Sequence, residues 1–328
     1  MADRAEVLLT GATGFVGRRL APALAADGWG VACVSRDAQA AAERWPERTW
    51  LEADLSSPRD LMRILSGRKI AYYLVHSIGE AAAGGLARRE AALAGLFTVA
   101  ARRAGVERIV YLGGIAPRGQ PSPHLESRLA VGRRLREGLV PVVELRAAMI
   151  VGYGSTSWLM VRDLAARLPL MILPRWLESR SQPVAIDDVV TALVAAARLP
   201  LAESLSYDLP GRDLLSGREI LERTAALLGH RHLPIVEVPV LSPRLSALWV
   251  RLVTRANWPV ARELVVGLEH DLIARNADYW RLIGHPKLIS FDAAAAQALA
   301  SEQRFGRMRP AGRVVELAAD FLTAGDQR

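Results

Sequence analysis

Residues 10–20 read Thr-Gly-Ala-Thr-Gly-Phe-Val-Gly-Arg-Arg-Leu, a Gly-x-x-Gly-x-x-Gly segment directly behind the short apolar run Val7–Thr10. Few segments restrict a fold more. A strand has to end, the chain has to reverse within a few residues, and a helix, expected over Gly14–Ala26, has to start at once. Gly11 suits the tight turn, Gly14 leaves backbone N–H groups open to an approaching anion, and Gly17 permits close helix–strand packing. The free N–H groups and the positive end of the helix dipole make such a turn a cradle for a diphosphate. Thr13, Phe15 and Val16 complete the expected contact loop.

The rest of the first half repeats one rhythm. Strands are expected over Gly30–Ser35, Thr49–Ala53, Ile70–Val75, Arg108–Leu112 and Val140–Arg146, with helices over Pro58–Ser66, Ala81–Ala104 and Leu125–Glu137. Alternation of this kind predicts βαβ units and a parallel sheet. Ile70–Val75 is apolar almost throughout, as a strand covered on both faces should be. Cys33 lies within the second strand, where it reads as a small buried hydrophobe. After Gly152 the pattern changes. Leu168–Pro174 is apolar and Pro-bounded, Asp187–Arg198 is helical, and Ser206–Leu209 is a short strand. Ser216–Leu228 reads as a helix with Ser216 at its N-cap and Gly229 as its stop. Leu241–Ile273 reads as helical and is rich in Leu, Val and Trp. The expected architecture is α/β: a Rossmann-type doubly wound parallel sheet with a smaller, mostly helical C-terminal substrate domain. Residues 1–152, joined by 184–210, would form the nucleotide-binding part, and residues 153–183 and 211–328 the cap.

Composition narrows the function classes. With 51% apolar and 23% charged residues in 328, the chain has the balance of a globular protein with a large core. A single cysteine excludes intramolecular disulfides and Cys-ligated clusters, and no metal site is expected. His230 and His232 have no carboxylate or third histidine at helical spacing. The formal charge is +8, but Lys69 and Lys287 are the only lysines, and the arginines are interspersed with acids along helices. That is a pattern of solvated helix faces, so no nucleic-acid partner is expected. No apolar run reaches the ~20 residues of a membrane span and no signal-peptide pattern opens the chain, which predicts a cytoplasmic protein. Leu245, Leu248, Trp249 and Leu252 form a helical stripe that reads first as core, with an apolar substrate wall or peripheral membrane contact as alternatives.

The glycine spacing resembles that of the short-chain dehydrogenase/reductase superfamily, its extended and atypical branches in particular. Arg146–Gly152 resembles the segment that contacts nicotinamide in extended members, through Ala147 and Met149. Val184–Val189 resembles their strand-to-helix motif, with Asp187 as the expected cap. Tyr207–Gly211 followed by Ser216–Glu219 is similar to their late strand-loop-helix. The stretches Ala71–Ser77, Val106–Gly114 and Ser127–Gly132 are similar to the NmrA-like group and to relatives of the NAD(P)H-binding accessory subunit of respiratory complex I. The resemblance implies a pyridine dinucleotide cofactor, with Asp54 and Leu55 flanking adenine and Val75, His76 and Ser77 beside the ribose.

Ser35 and Arg36 end the second strand, where an acid would favour NAD and a guanidinium favours a 2′-phosphate, so NADP(H) is preferred. Asp37 next door leaves NAD(H) open. Typical members of the superfamily use Ser, Tyr and Lys, with Tyr-x-x-x-Lys on one helix. None of the six tyrosines here has Lys four residues later, and His124-Leu-Glu-Ser-Arg128 stands where the motif belongs. Two readings remain. In the first, Arg128 holds the ribose, His124 donates a proton near neutral pH, and Tyr73, His76 and Tyr153 are further polar groups. Hydride then passes to a small apolar electrophile, quinone-like in the favourable case. In the second, the protein is a non-catalytic NADP(H) sensor or assembly protein. Homo-oligomers or protein partners fit either.

Overall fold

The computed structural model describes residues 6–75, 85–117, 119–167, 171–174, 178–230, 235–238 and 270–306. Its first half alternates β1 (Val7–Leu9), α1 (Gly17–Ala26), β2 (Val31–Ser35), α2 (Ala38–Arg44), β3 (Thr49–Glu52), α3 (Pro58–Leu65), β4 (Ile70–Tyr73), α4 (Leu86–Arg103), β5 (Arg108–Gly114), α5 (Pro123–Arg136) and β6 (Val142–Ala147). The second half runs β7 (Ile150–Val151), α6 (Thr156–Arg167), β8 (Met171–Pro174), β9 (Arg180–Ser181), β10 (Val184–Ala185), α7 (Ile186–Ala196), β11 (Leu205–Asp208), β12 (Leu215–Ser216), α8 (Gly217–Leu227) and β13 (Ile235–Val238), then α9 (Asp278–Leu282) and α10 (Phe291–Gly306).

Seven strands make one all-parallel sheet in the order β3-β2-β1-β4-β5-β6-β11. The strand order reverses between β1 and β4, and open α/β sheets bind ligands outside the carboxyl ends of the strands at such a point. Both faces are covered. Val7, Leu9, Tyr72, Val143 and Leu145 pack with α1 and α7 on one side, and Leu8, Ala71, Tyr73, Ile109 and Val142 with α3, α4 and α5 on the other. All four residues of β4 are buried, as the apolar run predicts. A third cluster, with Trp158, Ile220, Leu221 and Phe291 at its centre, joins α6, α8 and α10 into the cap.

Local chemistry explains the helix ends. Ser57 accepts the Asp60 N–H ahead of Pro58, and Ser216 and Glu219 close a reciprocal capping box on α8. Pro22 falls inside α1 and deprives the Arg18 carbonyl of its helical donor, and Arg48 Nη2–H donates to that oxygen instead at 3.1 Å. Asp187 is not a cap: α7 is led by Ala185, and Asp187 stands in its first turn, where its charge suits the dipole. Tyr279 and Trp280 join the core on the α7 side of the sheet, although the sequence reading places residues 211–328 in the cap. Within the expected helix Leu241–Ile273, residues 241–269 lie outside the described residues, as does the stripe at Leu245–Leu252, and residues 270–273 are not helical. Among the described residues no helix is long and apolar enough to cross a membrane.

Candidate active site

The turn after β1 is tied to the sheet before it opens. Thr10 is fully buried, and its hydroxyl donates to the Tyr72 carbonyl at 2.8 Å while accepting the Leu74 N–H at 3.2 Å. This locks the carboxyl ends of β1 and β4 together. Gly11 then takes φ +66°, and a Cβ there would lie 2.5 Å from the Leu74 carbonyl oxygen. A Cβ on Gly17 would lie 2.2 Å from the Gly11 oxygen and 2.8 Å from the Ala12 Cα. Gly14 differs: its Cβ would meet only the Gly11 oxygen, at 3.2 Å. Among the described residues no other atom outside its chain neighbours lies within 4 Å of that position. Among the described residues, the N–H groups of Thr13, Phe15 and Val16 donate to no backbone or side-chain acceptor. They cluster at the start of α1 beside the positive end of its dipole, so the turn fits a diphosphate.

At the end of β2 the Ser35 hydroxyl accepts the Asp37 N–H, and the Asp37 carboxylate caps α2 by accepting the Ala40 N–H at 2.8 Å. The acid that leaves NAD(H) open is thereby engaged with the helix. Arg36 lines a cleft of about 390 Å³ together with Glu52, Ala53, Asp54, Asp60 and Arg63. Asp54 accepts the N–H and hydroxyl of Ser56, and these bonds hold its carboxyl below the usual range. Leu55 packs on the core under α3.

Helix α5 carries His124 and Arg128 one turn apart, behind the cap Ser122. Arg128 Nη2–H donates to the Leu112 carbonyl at 2.8 Å, and Tyr111 Oη–H returns a bond to the Arg128 carbonyl at 2.9 Å. The side chain is thus fixed at the carboxyl end of β5, while its Nε–H is buried without a partner. His124 is half-buried, and burial, then the charge of Arg128, pulls its pKa down to about 4. The expected proton donor near neutral pH is therefore a neutral imidazole at pH 7, because the charged form would be desolvated beside a fixed cation. Tyr73 needs a second correction. It is 2% exposed, points to the α3–α5 side and meets Phe97 edge-on at 4.9 Å, so it belongs to the core and not to the site.

A model of the NAD dependent epimerase/dehydratase family matches residues 7–132. Over 233 residues, 69% of this chain and 71% of the other, the sequence is 32% identical to a ceramide reductase of Caulobacter vibrioides (strain NA1000 / CB15N). The chain belongs to the NAD-dependent epimerase/dehydratase family. Among solved structures it resembles the UDP-glucose 4-epimerase of Thermotoga maritima with UDP-glucose, at TM-score 0.68 and 14% identity over 91% of this chain and 99% of that one. It also resembles the Citrobacter sp. triphenylmethane reductase complexed with NADP(H), at TM-score 0.69 and 17% identity over 89% and 99%. At these identities the likeness is one of fold.

In this epimerase/dehydratase fold, the expected nicotinamide-side residues lie at the carboxyl edge of β4 and β6. Val75 packs against the α3–α5 core, while His76 and Ser77 lie outside the described residues. Ala147 is buried and its carbonyl accepts the Ile115 N–H at 3.3 Å; the Met149 carbonyl accepts the Val184 N–H at 2.9 Å. Three residues near the site have no signal in the sequence. His270 stacks on Gly119 in the loop before α5, with ring atoms 2.7–2.8 Å from where a Cβ would stand. Arg18 and Arg19 both donate to the Tyr153 carbonyl, at 3.1 and 2.6 Å.

Proposed function

We propose that the chain is an NADPH-dependent reductase that delivers hydride to the carbonyl carbon of an apolar, ceramide-class lipid. The observation that carries this reading is the cradle at residues 11–17. Two of its glycines are demanded by backbone atoms, and among the described residues the third meets only the Gly11 oxygen, beside N–H groups that donate to no acceptor. NADPH is favoured over NADH because Arg36 lines the cleft after β2 while Asp37 caps α2. The ceramide class comes from the name of the Caulobacter relative, and it makes the expected apolar electrophile a lipid carbonyl in preference to a quinone.

When bound, the dinucleotide supplies the hydride. The chain's own part is to hold and polarise the acceptor. Arg128 brings a permanent cation to the end of β5, and in this reading that cation faces the negative charge that develops on the carbonyl oxygen. A neutral His124 donates a hydrogen bond without titrating. A carbonyl that receives hydride becomes an alkoxide, a strong base, and takes its proton from water, because an imidazole held at about 4 is not protonated at pH 7.

The test is absorbance of NADPH with the purified protein and a ceramide-class lipid bearing a ketone, beside a quinone panel. Consumption with the lipid ketone is expected, and tight NADPH binding without consumption of any acceptor would refute the catalytic reading. The neutral His124 and the missing tyrosine on α5 favour the sensor as second reading, for which His124→Ala leaves cofactor binding unchanged and no acceptor is turned over.

A further inference from the structure

Arg18 and Arg19 occupy the first turn of α1, where no acidic residue stands. Positive charge is disfavoured at a helix N-terminus and anions are welcomed there. Among the described residues neither guanidinium makes a hydrogen bond to a carboxylate, although the Asp187 carboxylate acts on Arg19 from a distance. Instead both converge on one neutral oxygen, the Tyr153 carbonyl, and both lie over the Phe15 ring, at 5.9 Å for Arg18 and 4.7 Å for Arg19. Arg19 also donates to the Phe15 carbonyl at 3.1 Å. Burial and the neighbouring charge of Arg19 pull the Arg18 guanidinium down to about 10.

The oxygen they hold belongs to the loop between β7 and α6, which follows the Arg146–Gly152 segment. That loop is shaped around the pair. Gly154 takes φ +85°, and a Cβ there would stand 2.0 Å from Arg18 Nη2; a Cβ on Gly152 would stand 3.2 Å from the Phe15 ring and 2.6 Å from Ile186. Ser155 closes the turn, its N–H donating to the Gly152 carbonyl and its hydroxyl to that of Ile150. Phe15, Arg18 and Arg19 come from the cradle and its helix, and Gly152–Ser155 from the loop between β7 and α6, and the two meet through this cluster.

We propose that Arg18 and Arg19 are positioning residues that couple dinucleotide binding to the order of the Gly152–Ser155 loop, so that the segment carrying Tyr153 is set when a diphosphate fills the cradle. The coupling is electrostatic. Two cations crowded at a helix N-terminus repel each other and the dipole, and a diphosphate on the neighbouring N–H groups offsets both repulsions. The clamp on Tyr153 is then held more firmly with cofactor than without. This rests on the cradle binding NADPH, and not on the identity of the acceptor.

Hydrogen exchange of the 152–156 amides, with and without saturating NADPH, tests the coupling in wild type and in Arg18→Met/Arg19→Met. Calorimetry runs in parallel for cofactor affinity, and far-ultraviolet circular dichroism for fold. In the wild type NADPH is expected to slow exchange at these amides at least fivefold. Because a coupling is reciprocal, the double variant should bind NADPH about three- to tenfold more weakly than wild type, lose that slowing, and exchange faster than wild type even without cofactor. Equal slowing in variant and wild type overturns the proposal. So does equal exchange of the two cofactor-free proteins. A loss of NADPH affinity of more than tenfold would also overturn it, by making the arginines direct phosphate ligands. Failure of the wild type to bind either coenzyme defeats the reductase reading, and the cofactor-free comparison then decides the clamp alone.

Discussion

Replacing Gly14 with Ala separates what the cradle does for the fold from what it does for a ligand. The backbone at Gly14 is not left-handed, and the added methyl would touch only the Gly11 oxygen, at 3.2 Å. A shift of a few tenths of an ångström accommodates it, and Gly→Ala at a compatible position gains about 0.4–1 kcal/mol through the unfolded chain. Stability should therefore stay within about 1 kcal/mol of wild type. The methyl, however, projects where the diphosphate approaches the free N–H groups. Displacing one charge-assisted hydrogen bond of that kind costs about 1.5–3 kcal/mol, which is roughly a 10- to 150-fold loss of NADPH affinity. Gly17→Ala is the contrast, because its Cβ would stand 2.2 Å from a backbone oxygen and 2.8 Å from a backbone carbon. Neither can yield without opening the turn, so stability should fall by about 1–3 kcal/mol, as in other overpacked sites. Calorimetric titration with NADPH and thermal unfolding of the two variants measure both quantities. A Gly14→Ala protein that binds NADPH as wild type does, or that loses as much stability as Gly17→Ala, would refute the reasoning.

Arg36→Ala should weaken NADPH at least tenfold and NADH less than threefold, by calorimetry; equal weakening would remove the 2′-phosphate argument. His124 has a folded pKa of about 4 against about 6.5 in the unfolded chain. The unfolded state therefore binds more protons between these values, and stability is lost as pH falls from about 6.5 to 4. For a half-buried ring the loss attributable to His124 should be about 1–2 kcal/mol, absent in His124→Gln, and read by denaturant unfolding at pH 7 and pH 4.5. Tyr73→Phe should leave kcat/KM and NADPH affinity within twofold of wild type, since the ring lies in the core. A tenfold loss of kcat would return Tyr73 to the site. Arg108→Met should destabilise by about 1–3 kcal/mol in the same unfolding assay, because Arg108 donates to the Ala196, Ala197 and Leu199 carbonyls at 2.5–2.8 Å.

The parallel sheet and its cradle were legible because both rest on local chemistry: apolar runs of strand length, glycines at fixed spacing, and caps such as Ser57 and Ser216. What escaped depends on contacts far apart in sequence. Tyr72 and Tyr73 are adjacent in a strand covered on both faces, so neither periodicity nor hydropathy says which ring packs under α7 with its hydroxyl on the Leu193 carbonyl and which meets Phe97. The place of His124 on α5 was readable, but its charge state was not, since that depends on burial and on how Arg128 is held by Leu112 and Tyr111. Helix α2 has no apolar face to give it away, since Ala41 is its one buried residue. Asp37, its cap, was weighed as a ribose ligand, and the two roles differ only in where one carboxylate turns.

The formal charge of +8 takes on a definite meaning once the arginines are followed to their acceptors. Arg18 and Arg19 end on the Tyr153 carbonyl, Arg48 on that of Arg18, Arg108 on the last turn of α7, Arg128 on Leu112 and Arg198 on Asp27. Each donates to a backbone carbonyl, a task for which a planar fork of N–H groups is better suited than an ammonium. For these six positions that use favours arginine over lysine. It also marks Arg36 as different in kind, since Arg36 lines a cleft at the carboxyl edge of β2 among Glu52, Asp54, Asp60 and Arg63. Acidic side chains share that cleft with Arg36, and the charge of Arg36 acts on Asp54. A phosphate entering it would compete with them for the guanidinium, so NADPH affinity should rise in Glu52→Gln, and an unchanged affinity would mean that Arg36 does not meet the phosphate.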